Sequence, residues 1–126
     1  MADWFVRREG KVRGVPRNTN QDPANDKVAV ISDGSLQSSL TERPTGFVVD
    51  EEPTDNPPEM VDTYGDGTLL EDNGASFTAD SPVWFDGSGG IQDSEPAATS
   101  GDVIFQAGYA LTSTLIMVDI DAVEVA

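Results

Sequence analysis

A glycine or proline interrupts this chain about once in every six residues, since 12 of its 126 residues are Gly and 8 are Pro. Gly is costly inside a helix and Pro removes a helix hydrogen bond, so punctuation this dense disfavours a multi-helix bundle. No window approaches the roughly 18 continuous apolar residues of a membrane-spanning helix. Short strands joined by turns suit the pattern better, and a chain this long makes one small domain with appendages rather than two substantial ones.

Runs of β-branched and aromatic residues mark the expected strands. Trp4 to Val6 is the first, with an extension towards Val12 around Gly10, and a loop is expected over 14–23. Lys27 to Ile31 and Gly46 to Val49 follow. Between them Ser35 to Leu40 lacks strict alternation, so at most one short helix is expected, with 35–42 as its place. Gly65 and Gly67 read as turn residues ahead of a strand around Thr68-Leu69-Leu70, the run 75–85 supplies a strand or two, and Asp86 to Gly90 is a tight β connection. A further strand is expected from Asp102 to Gly108.

The clearest pattern is the last one, Ser113 to Ile120. Period-2 geometry puts Ile116, Val118 and Ile120 on one face, and Leu115, Met117, Asp119 and Asp121 on the other, so the first is a core face. After Asp121 the apolar parity passes to Val123 and Val125, which predicts a bulge, a bend or a second packing environment near Ala122. The expected fold is therefore mainly β: a small β-barrel or β-sandwich over 14–126, with an extended N-terminal arm at 1–13 and long acidic loops. The stretch 50–59, with five carboxylates and three prolines, builds no apolar face and reads as an exposed loop or linker. Exposed edges and an apolar chain end favour a homo-oligomer.

Charge is distributed very unevenly. All seven bases lie at or before Arg43; the first 46 residues, with six acids, carry +1, whereas 47–126 hold 17 acids and no base. The net charge of −16 exceeds the ~2 to 8 units that keep a small domain soluble and reads as adaptation to a saline environment, where salt screens the self-repulsion. An ordinary acidic protein is the other reading. The candidate interface residues are Trp4, Phe5, Arg7, Arg8, Lys11 and Arg13, because aromatic and Arg residues commonly anchor protein contacts and this stretch is the only concentrated positive charge. Two readings of them stand side by side: a docking arm for an acidic neighbour, or bases that balance the chain's own acidic body with Trp4 and Phe5 capping the core.

Other chemistries find little support. Cys and His are absent, which removes disulfides, thiol catalysis, Cys/His metal ligation and an imidazole base. Asp62 to Gly67 resembles a calcium loop only until Tyr64 and Asn73 fall where oxygen and Glu ligands belong, and Asp86 to Gly90 lacks the Lys of a phosphate loop. Asp119 and Asp121 are spaced permissively for paired-carboxylate chemistry, yet abundant Asp makes such pairs common. The acidic body repels a phosphate backbone, so direct nucleic-acid binding is not expected, and the N-terminus lacks the apolar core of a secretory signal. No catalytic residue, cofactor, metal site or membrane contact is expected.

The run Ser76-Phe77-Thr78-Ala79-Asp80-Ser81-Pro82-Val83-Trp84-Phe85-Asp86, followed by Gly89-Gly90-Ile91, resembles a segment of small β-rich decoration proteins on the heads of tailed viruses. The resemblance continues through Asp102 to Leu111, similar to the family's return strand, and Thr114 to Ile120, similar to its closing strand, covering about 45 residues in 76–120. It implies a non-enzymatic protein at the virion's capsid surface, partnered by the major capsid protein and reinforcing its lattice. With the acidic composition it implies a virus of a halophilic archaeon. The alternatives are a tail, baseplate, connector or fibre component of such a virion, or a binding module of a halophilic cell, the last favoured by an exposed Trp84 or Tyr64.

Overall fold

The computed structural model of the chain describes residues 4–16, 22–49 and 60–125. Their strands are β1 (Trp4–Arg8), β2 (Val12–Pro16), β3 (Ala29–Val30), β4 (Gly46–Phe47), β5 (Met60–Tyr64), β6 (Leu69–Asp72), β7 (Pro82–Phe85), β8 (Ile91–Gln92), β9 (Val103–Ala110) and β10 (Leu115–Val125). They form two antiparallel sheets, one in the order β1-β6-β10-β9-β7-β8 and the other in the order β2-β5-β4-β3. Helix is confined, among the described residues, to a 3-10 turn at Pro23–Asn25.

Strand β10 follows its alternation. Ile116 and Val118 are buried while Asp119 is exposed, and the pairs Ile116–Ala110, Met117–Tyr109 and Val118–Gly108 set the register with β9. That register shifts between Val118 and Asp121 and again between Ala122 and Glu124, so the irregularity expected near Ala122 is present on both sides of it. Gly108 lies where β9 pairs with Val83 of β7 and Val118 of β10, at φ +151. A Cβ there would lie 3.0 Å from Asp119 N and closer still to the Met117 carbonyl, so only glycine lets these strands meet. The β7–β8 hairpin closes as its Asp-Gly chemistry predicts: Asp86 Oδ1 accepts the amides of Ser88 at 2.7 Å and Gly90 at 3.0 Å.

Both sheets contribute to one core. Phe47 of β4 stacks on Trp4 of β1 at 6.3 Å and on Phe85 of β7 at 5.3 Å. In a flat sheet the four strand steps from β1 to β7 would span about 19 Å. A single ring reaches both residues because the six-stranded sheet is curled, with its inward side chains converging. Its edges face each other across a cleft of about 250 Å³ lined by Trp4 of β1 and Ile91 of β8, but no ladder joins them, so the barrel is not closed. A smaller cluster of Val15, Val30, Val48 and Val61 fills the four-stranded sheet's far end.

Several expectations are corrected. From Trp4 onward, the expected N-terminal arm at 1–13 is built into both sheets: β1 pairs with β6, and after a turn around Gly10 the chain enters β2, which pairs with β5 and runs on through Pro16. The place given for at most one short helix, 35–42, is not helical, because the Gln37 amide bonds to Ala29 O and Leu36 bridges to Val30, which ties the segment to β3 as irregular chain. Within 75–85 only Pro82–Phe85 is a strand. Strand β5 was not expected at all. The acidic loop at 50–59 lies outside the described residues, as do residues 1–3.

Candidate functional site

A tight crossing of two turns builds the most distinctive surface feature. The Gly10 amide bonds to Thr68 Oγ1 at 3.0 Å, Lys11 N to Asp66 O at 2.9 Å, and Gly65 N to Lys11 O at 2.7 Å. A Cβ at Gly10 would overlap the backbone of Asp66 and Gly67, so glycine permits the approach that places Lys11 here. Two residues on, Arg13 lies on the same face of β2 as buried Val15, but beyond the end of the valine cluster. There the core gives way to a cleft of about 300 Å³ lined by Lys11 and Arg13, by Arg43 and Thr45 ahead of β4, and by Thr63 of β5 opposite Arg13. Ile120 of β10 and Asp66 complete it from the other sheet.

Half of the six bases among the described residues therefore meet at one opening. No salt bridge engages Lys11, Arg13 or Arg43 among the described residues. The Arg13 guanidinium donates to the Ser32 carbonyl, and Arg43 lies over the Phe105 ring at 5.8 Å. The one carboxylate among the described residues of the wall, Asp66, already accepts the Ile120 amide at 2.8 Å. Thr63 is only 3% exposed and its hydroxyl has no hydrogen-bond partner among the described residues, a costly arrangement for a buried polar group.

The six residues expected to form one interface are divided three ways. Trp4 is a core residue: it is buried, stacks on Phe47, and its indole N–H donates to Asp26 Oδ1 at 2.9 Å. Phe5 lies on the opposite, outer face of β1, 40% exposed, with the Arg7 guanidinium 4.8 Å above its ring. Arg7 also donates through Nε to Glu71 Oε1 at 2.6 Å, and Thr114 Oγ1 donates to Glu71 Oε2 at 3.0 Å. The Arg7 hydrogen bond first, then that from Thr114, holds the Glu71 carboxyl below its ordinary value. Arg7 thus balances an acid of its own chain. Arg8 is exposed on β1, while Lys11 and Arg13 belong to the cleft.

Arg43, Thr45 and Thr63 escaped sequence reading. Arg43 stands 30 residues from Arg13 in the chain, and nothing local signals that β4 carries it to β2. Of the aromatic residues that a ligand-binding module would expose, Tyr64 is buried and Trp84 half-buried. Asp119 and Asp121 are exposed at the register shift of β10. Among the described residues no group of three or more acids is arranged to hold a metal ion. Compared with known protein families, curated proteins and solved structures, the chain matches none.

Proposed function

We propose that this chain is a non-enzymatic structural subunit that decorates the outer surface of a viral capsid, with the major capsid protein as its partner and a saline environment as its setting. The observation that carries this reading is the apolar margin the fold leaves open: Val123 and Val125 at the end of β10 are 44% and 75% exposed, and Met60 at the start of β5 is 58% exposed. Apolar side chains displayed at strand ends are suited to burial against other subunits, including copies of this chain in a homo-oligomer. At a net charge of −16 in concentrated salt, such contacts outlast charge attraction. A second support is that β7 to β10, which fall within or just beyond the 76–120 resemblance, are contiguous in one sheet. Two antiparallel sheets that share a core support the sandwich form of the expected fold.

Cryo-electron microscopy of native particles tests the assignment. Density for this chain repeated over the icosahedral shell is the expected result; density on a tail axis transfers it to a tail component, and absence from particles rejects a virion role. A Val123→Asp, Val125→Asp double variant should stay folded yet lose occupancy, since exposed sites usually change stability by no more than about 0.5 kcal/mol.

A further inference from the structure

Three cations face one opening on a chain that is otherwise strongly acidic. Acidic side chains are abundant, yet no salt bridge among the described residues occupies Lys11, Arg13 or Arg43. Behind them, in the same wall, the Thr63 hydroxyl is buried without a partner among the described residues. Guanidinium groups present planar donor forks that match an oxyanion, Lys adds a mobile donor, and a hydroxyl donates one more bond. The missing component is an acceptor.

We infer that this cleft receives the carboxylate side chains of an acidic polypeptide segment from a neighbouring protein. The walls favour a side chain over a bare inorganic ion: Val12, Pro44 and Ile120 line the cleft beside the bases and offer apolar surface to the methylenes that carry a carboxylate. A volume of about 300 Å³ admits two or three such side chains and excludes a folded element. Nucleic acid fits less well, because recognition of a phosphate backbone usually needs a broader positive footprint than three bases at one opening. The chain's net charge of −16 repels an acidic peptide, but at long range. At about 0.15 M salt, charges beyond roughly 8 Å are largely screened, while direct contacts at the cleft are screened less.

The inference stands apart from the capsid reading: loss of peptide binding leaves particle occupancy to be decided separately, and absence from particles leaves the cleft's chemistry intact. The test uses the full chain, labelled with nitrogen-15 and titrated at about 0.15 M salt with an acetylated, amidated hexaglutamate. Amide shifts centred on Lys11, Arg13, Thr63 and Gly65 are expected, with no comparable response to inorganic phosphate at equal concentration. Arg13→Gln and Arg43→Gln should each weaken binding about tenfold, as loss of a charged hydrogen bond implies, while Lys27→Gln, outside the cleft, should not. Thr63→Val keeps the shape of the buried side chain, so it should fold normally and still bind several-fold more weakly. Equal or tighter binding of phosphate or of a single-stranded oligonucleotide, shifts centred elsewhere, indifference to all three cleft variants, or no binding at all would each overturn the inference.

Discussion

Replacing Gly108 by Ala adds one methyl group at the most crowded backbone position of the six-stranded sheet. Two costs arise. Holding a Cβ-bearing residue at φ +151 costs about 1–3 kcal/mol, as other sparsely populated backbone regions do. The new Cβ would also stand 3.0 Å from Asp119 N and closer to the Met117 carbonyl than real side chains come, whereas ordinary contact begins at 3.4 Å. The strands β9 and β10 must separate locally, and each buried backbone group left without its partner costs about 1–3 kcal/mol. With one such partner lost these give about 2–6 kcal/mol, a large share of the ~5–15 kcal/mol that holds a typical domain together. Gly101→Ala is the matched control: its φ is +94, yet a Cβ there meets nothing within 4 Å, so it should cost only about 1–2 kcal/mol of backbone strain. Thermal unfolding followed by far-UV circular dichroism at fixed salt should place Gly108→Ala roughly 10–25 °C below the wild type. A midpoint within about 3 °C of the Gly101→Ala control would refute the close approach of β9 to β10.

Trp4→Ala should destabilise by about 3–5 kcal/mol in unfolding measurements, because it empties a core position and leaves Asp26 without its donor; an unchanged midpoint would put Trp4 outside the core. The lowered carboxyl of Glu71 makes its stabilisation complete above the ordinary value of 4.5 and lost as the pH falls through the native value. The wild type should therefore exceed Glu71→Gln in stability near neutral pH and converge with it in acid, and a gap that persists there would contradict the pairing with Arg7. Raising salt from about 0.1 M to about 3 M should raise the unfolding midpoint of this highly acidic chain, and a flat response would count against salt adaptation.

What could be read from the sequence was what neighbouring residues decide among themselves. The alternation of Ile116 and Val118 with Met117 and Asp119 assigns the faces of β10, and Asp86 with its glycines closes the β7–β8 turn through its own carboxylate. The parity change at Val123 likewise announced a disturbed register. Tertiary structure decided whatever depended on partners distant in the chain. Trp4 and Phe5 look alike as exposed aromatics beside bases until pairing with β6 turns one towards Phe47 and the other outwards. The run 35–42 lacks strict alternation and is non-helical because β3 captures its backbone. The basic cleft exists only because the crossing at Gly10 and the β2-β5-β4 order carry Lys11, Arg13 and Arg43 to one opening. Local periodicity reports which face a residue takes, but not which strand arrives opposite it; that choice is made by long-range pairing and by the shared core, where Phe47 joins the two sheets.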